Sequence, residues 1–220
     1  MTLTRRLLRI CTAGAIAMSL AGCSAMARTI LAPQKDVSKF YLLTPTADAA
    51  ASTPSANTTG GDFTLGLGPI KIPPYLDRPE VVTRAAPNRL ELSKEDRWGE
   101  SVQNGFTNSM ERDLTVETGA GRIIIFPWYS TEHIDMQVEV DVYRFETDGN
   151  GLATLSARWT IYDSTGKNIL YTAEANLTQP STAGDTTQAA AALSRTIGDL
   201  SAQIANMIHN LRAQQTAHPT

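Results

Sequence analysis

"IDMQVEVDV", Ile134 to Val142, decides the fold. Apolar side chains stand at Ile134, Met136, Val138, Val140 and Val142, with Asp135, Gln137, Glu139 and Asp141 between them. Successive side chains of a strand point to opposite faces, so this period of two predicts a strand with one face on a core and a polar back. The pattern recurs downstream. Ala153, Leu155, Ala157, Trp159 and Ile161 alternate within 152–162, and Ile169, Tyr171, Ala173, Ala175 and Leu177 alternate after them. "TDGNG" (147–151) and "DSTGKN" (163–168) separate the three runs and read as hairpin turns.

Toward the N-terminus, "KFYLL" (39–43) and "FTLGLGPIKI" (63–72) read as strands, with shorter ones near 80–84 and 89–92. In "RWGESVQNGFTNSMERDLTVE" (97–117), Trp98, Val102, Phe106, Met110 and Leu114 fall four apart. That spacing predicts an amphipathic helix, with Asp96 as its N-cap. "RIIIFPW" (122–128) is a continuous apolar run, the pattern of a buried strand. A last helix is predicted over about 185–212, where Leu193, Ile197, Leu200, Ile204, Met207 and Leu211 form one stripe that packs on the sheet. The expected fold is α/β (α+β-like): a single mixed, largely antiparallel sheet with two main helices packed on it. The first helix joins the strand near 65–72 to the one at 122–127 as a βαβ crossover.

The N-terminal segment is read differently. Arg5, Arg6 and Arg9 precede the apolar stretch "LLRICTAGAIAMSLAG", and no acidic residue occurs before Asp36. Residues 1–22 thus read as a signal peptide rather than a membrane-spanning helix, which needs about 20 predominantly apolar residues. "LAGC" (20–23) resembles the lipobox of bacterial lipoproteins, with cleavage between Gly22 and Cys23. Cys23 would then carry an S-diacylglycerol and an N-acyl chain, and several acyl chains anchor stably where one is marginal. Cys11 lies in the part removed, so the mature chain has one thiol and no internal disulfide. In the lipoproteins this box resembles, Asp at the next position favours inner-membrane retention. Ser24 therefore implies the outer membrane, on its periplasmic face. Cleavage takes away three arginines and leaves 16 basic against 22 acidic side chains, a formal charge of −6, which excludes a nucleic-acid surface.

The mature chain is expected to comprise a lipidated tether (23–37), one domain (38–212) and a disordered tail (213–220). Within the domain, the Ala/Ser/Thr/Gly-rich tract 46–62 reads as a flexible surface insertion.

Catalytic patterns fail on inspection. "STGK" (164–167) lacks the glycine a phosphate loop needs, since Ile161 stands there, and Asn168 replaces the Ser/Thr after the lysine. "DGNG" (148–151) supplies two early oxygen positions of a calcium loop and then Leu152. His133, His209 and His218 have no ligand spacing, so no metal is expected. There is no GxSxG elbow, and the one mature cysteine is taken by lipid, so the chain is expected not to be an enzyme and to need no cofactor.

That leaves "KIPPYLDRPEVV" (71–82), with three prolines in a strand-to-strand connection. Proline fixes φ and removes a donor, so the block cannot continue a central strand. It is either a rigid corner with Asp77 and Arg78 closing a local turn, or a preset docking edge.

The lipobox, "FYLL", "IPPYLDRPEVVTR" (72–84) and "LELSKEDRWGESV" (90–102) resemble, in order and spacing over 39–126, the ABC-type transport auxiliary lipoprotein (PqiC-like) family. The later strands and last helix fit more loosely, and the insertion 46–62 departs from the family picture. The resemblance implies a domain like the N-terminal domain of TolB. It also implies a non-catalytic auxiliary role in moving lipids or other hydrophobic molecules and maintaining envelope integrity. The implied partners are an MCE-domain protein that spans the periplasm and its inner-membrane permease, with homo-oligomers possible. Pro73, Pro74, Tyr75, Leu76, Asp77, Arg78, Pro79, Arg97 and Trp98 would be the docking residues. The alternative is a lipoprotein that binds and carries a lipid in its own core, which requires an apolar cavity.

Overall fold

In the computed structural model, residues 37–47, 61–129 and 131–217 are described, and residues 38–220 form one unit. The signal peptide, Gly22, Cys23, Ser24, the tether up to residue 36 and most of the insertion (48–60) lie outside the described residues. The chain runs β1 (Lys39–Tyr41), β2 (Gly61–Lys71), β3 (Glu80–Ala86), β4 (Arg89–Trp98), α1 (Val102–Thr118), β5 (Ala120–Ile125), β6 (Met136–Asp148), β7 (Leu152–Tyr162), β8 (Ile169–Pro180) and α2 (Thr186–Ala217).

The sheet is mixed and grows around β6. β7 pairs with β6 antiparallel along its length, and β8 pairs antiparallel with β7. On the other side of β6, two strands share one edge: β2 runs parallel to Met136–Asp141, and β3 runs parallel to Thr147–Asp148. β4 then pairs antiparallel with β3, β1 parallel with β4, and β5 parallel with β2. The β2–β5 pair is the expected crossover, with α1 in the connection.

Both helices cover one face, α1 over β2 and β5 and α2 over β6, β7 and β8. The inward residues of the opening stretch are buried, as are Ala153, Leu155, Ala157, Trp159 and Ile161. The opposite face carries charge ladders such as Lys71 with Glu139 and Asp141, and Arg158 with Glu174. Phe106 and Phe145 meet edge to face at 5.3 Å beneath α1. Ile169, expected on the inward face of β8, is 62% exposed.

Several features differ from the sequence reading. Trp98 and Asp96 belong to β4, not to the first helix, because β4 pairs with β3 as far as Arg97 and with β1 as far as Trp98. Asp96 caps no α1 terminus; it accepts from Tyr41, Ser93 and Thr186 and so ties β1 and β4 to the start of α2. The cap is Ser101, whose extended backbone lets Oγ accept from Asn104 N at 3.1 Å. Gly119 closes the helix in the left-handed conformation at φ 63°.

β5 is an edge strand, not a buried one. Ile125 is 38% and Phe126 47% exposed, because nothing among the described residues pairs beyond it. α2 continues to Ala217, so residues 213–217 of the expected tail are helical.

The ends of the insertion also belong to the fold. Gly61 and Asp62 are in β2, and Thr46 and Ala47 lie over the seam between the helices. There Thr44 N donates to Ser194 Oγ, and Thr46 Oγ1 and Ala47 N donate to the buried Asp113. Gly198 makes this approach possible: a Cβ on it would collide with the Thr46 side chain. Further along the seam Glu117 has an oxygen, Oε2, that is out of water and makes no hydrogen bond among the described residues. Burial first, then the charges of Asp113 and Asp199, push its carboxyl up to about 7.

Candidate functional site

The proline block spans the gap between β2 and β3 along the shared edge of β6. Pro73 O accepts from Leu76 N at 2.9 Å, and Leu76 O from Arg78 N at 2.9 Å, so a tight turn forms without a ladder. Leu76 is 2% exposed and plugs into the core. Trp98 is also buried, with its backbone N–H on Pro79 O at 2.7 Å.

The backbone N–H groups of Asp77 and Arg78 donate within the local turn, to Pro73 O and Leu76 O, while their side chains reach past it. Asp77 Oδ1 accepts from Gln103 N at 3.2 Å, placing a carboxylate at the N-terminus of α1, where the helix dipole favours it. Gln103 also donates its side-chain amide to Ile70 O at 2.9 Å, satisfying a carbonyl at the end of β2. Arg78 and Arg97 converge on Glu80, at 2.9 and 3.2 Å. The Arg78 guanidinium, first of several causes, holds the Glu80 carboxyl below its usual range. Pro74, Asp77 and Pro79 are exposed; Pro73, Tyr75, Arg78 and Arg97 are half-buried.

Tyr75 turns toward β6. Its hydroxyl donates to Glu146 Oε2 at 3.0 Å, and Tyr143 O lies 3.3 Å away. Glu146 is 1% exposed and also accepts from Arg84 Nε at 2.6 Å and Arg144 Nε at 3.0 Å. Burial alone would raise its carboxyl, but the bonds from Arg84, Arg144 and Tyr75 outweigh it and hold the group below its ordinary value. Burial, then the Glu146 charge, pushes the Tyr75 phenol up.

Sequence reasoning did not find Glu146, Arg144, Glu80 or Gln103. One signal for Glu146 was present: the apolar phase shifts by one between Val142 and Phe145. The β6–β7 register slips at that point, and the bulge sets Glu146 beneath the proline block.

The turns set aside as chemistry are turns here. Asp163 accepts from Thr165 and Asn168 side chains, and those bonds, Asn168 first, lower its carboxyl to about 2. Asp148 Oδ1 accepts from Asn150 N and Leu152 N. Among the described residues no group of three His, Cys, Asp or Glu side chains could hold a metal ion, and no helix is long and apolar enough to cross a membrane.

Comparison with known proteins gives a family and a fold. A family model described as "ABC-type transport auxiliary lipoprotein component" matches residues 41–205. No curated relative matches the sequence. Two crystal structures are similar. One is of an uncharacterised protein, 16% identical, with a TM-score of 0.62, covering 78% of this chain and 98% of its own. The other is protein XCC0632 from Xanthomonas campestris, of the DUF330 family model, 18% identical, with a TM-score of 0.60, covering 80% and 99%. At these identities the likeness is one of fold.

Proposed function

Because the chain belongs to the ABC-type transport auxiliary lipoprotein component family, we propose that it is the outer-membrane-anchored, periplasm-facing, non-catalytic accessory of an ABC-type system that moves lipids or other hydrophobic molecules. In this reading Cys23 carries the anchor, and the domain docks an MCE-domain protein that spans the periplasm toward an inner-membrane permease. The match across residues 41–205 carries the proposal. The proline block supports it: Leu76 and Trp98 root it in the core and Glu146 and Gln103 clamp it, which leaves Pro74, Asp77 and Pro79 preset at the surface. A surface with little entropy left to lose suits docking. The filled interior, with Leu65, Leu67, Phe106 and Met110 at 0% exposure, favours this role over carriage of a lipid within the domain.

Crosslinking in cells followed by co-purification tests the docking role. Recovery of an MCE-domain protein is expected, with loss of that band in a Pro74→Ala/Asp77→Lys/Pro79→Ala variant. Recovery of unrelated envelope proteins alone would overturn it. Cys23→Ala tests the anchor separately: the protein should leave the membrane fraction.

A further inference from the structure

The β3–β4 turn and the β6–β7 turn stand side by side and bound an open groove of about 670 Å³. Arg84 of β3 and Pro87 of the first turn line it from one side; Arg144 and Asp148 of β6 and Asn150 of the second turn line it from the other. The two arginines come from different strands and share one partner, the buried Glu146 carboxylate, which both reach through Nε.

That mode of pairing leaves the outer ends of the guanidiniums in hand. Arg84 Nη1 donates to Pro87 O at 2.9 Å. Arg84 also faces the Tyr75 hydroxyl, whereas the bonds of Arg144 use its Nε alone and leave its two Nη atoms with no hydrogen bond among the described residues. Two cations against one carboxylate leave one positive charge over. The acid at the rim does not cancel it by contact: Asp148 has Oδ1 on two backbone amides and forms no ion pair among the described residues. Arg144 has 40% of its side chain exposed while its Nε is held, so its fork is fixed and reachable. Guanidinium forks match oxyanions in geometry as well as charge. Glu146 already shows two arginines from different strands sharing one oxyanion, and a tetrahedral phosphoryl group, with more acceptor oxygens than a carboxylate, can serve the guanidinium edges that face the groove.

We propose that this groove is a phosphoryl-binding site, in which Arg144 and Arg84, backed by Glu146, grip the oxyanion and the walls of the two turns hold the atoms attached to it. The groove leaves room beside the arginines for the atoms attached to a phosphate ester. The precursor's formal charge of −3 repels anions at long range, so recognition is local to the arginine pair. The site shares Glu146 with the clamp on Tyr75 but includes neither Pro74, Asp77 nor Pro79, and it does not depend on the transport reading.

The test follows the arginine Nε–H signals of the full chain by NMR during titration with inorganic phosphate, with chloride at matched ionic strength as the reference. Phosphate is expected to move the Arg144 and Arg84 signals saturably, and chloride is not. Arg144→Lys keeps a charge on Glu146, and so the fold, but loses the fork; affinity should fall about tenfold. Arg158→Gln, on the polar sheet face, should change nothing. Phosphatidylcholine vesicles with and without phosphatidylglycerol identify the source. If only anionic vesicles move the same signals and free phosphate competes, the ester is a lipid headgroup; if vesicles are inert while phosphate binds, it is a soluble phosphate ester. No saturable response to either probe, or an undiminished response in Arg144→Lys, overturns the assignment.

Discussion

Glu117 and Glu146 each have a carboxylate oxygen out of water, and the fold moves their titration in opposite directions. Glu146 lies under the proline block with two guanidiniums and a phenol on it, and stays ionised below its ordinary range. Glu117 lies at the helix seam beside Asp113 and Asp199, with Oε2 unbonded among the described residues, and rises to about 7. Burial pushes both upward; the number and sign of the partners decide the outcome. The proline corner is thus fixed by charge already paired, whereas the helix seam holds a charge that appears only near neutrality.

The largest expected effect comes from unpairing Glu146. Arg84→Ala removes its shortest contact and leaves a buried carboxylate short of a partner, which should cost about 3 kcal/mol in urea unfolding. A loss near zero would mean that Arg144 and Tyr75 suffice and that the corner is over-determined. Next is the seam. Gly198→Ala puts a methyl group against Thr46 and should cost about 2 kcal/mol, with part of the loss recovered in a Gly198→Ala/Thr46→Ala double variant.

pH separates the two acids. The Glu117 carboxyl is raised in the folded state, so its penalty is absent below the ordinary 4.5, grows between 4.5 and about 7, and is full above that. Glu117→Gln should therefore stabilise the protein by about 1–3 kcal/mol at pH 8 and change little at pH 4. Glu146 is lowered, so its contribution is present above the ordinary carboxylate range and is lost as pH falls through the folded value. Denaturation curves across pH should show Glu117→Gln removing the decline in stability between about 4.5 and 7 and leaving a constant gain above it. The smallest effect is Tyr75→Phe, which removes one hydrogen bond to Glu146 and should cost about 1 kcal/mol while moving the Glu146 titration upward by NMR.

Period-two alternation exposed β6 and β7 because a half-buried strand writes its environment into every second residue. The same rule explains where reading stopped. "RIII" has the composition of a central strand, but strand order is a property of the whole sheet, and β5 finished at its edge. Trp98 falls in phase with the helical stripe because β4 delivers it to the same core that Val102 and Phe106 enter, and spacing alone cannot separate the two routes. The block at 72–79 was legible as a rigid break, since proline chemistry is local. Its partners were not, because Glu146 reaches it from about 70 residues away through a bulge that shows only as a one-residue shift of phase.

The segment that crosses the helix seam has a mechanical consequence. With the chain held at Cys23, as proposed, a pull on the domain enters at β1, whose ladder to β4 is only three residues long. Behind that ladder the load meets Thr44 on Ser194 of α2, then Thr46 and Ala47 on Asp113 of α1. The leash is therefore knotted to both helices before it reaches β2, and tension would be spread over the helical layer instead of peeling strands from the sheet.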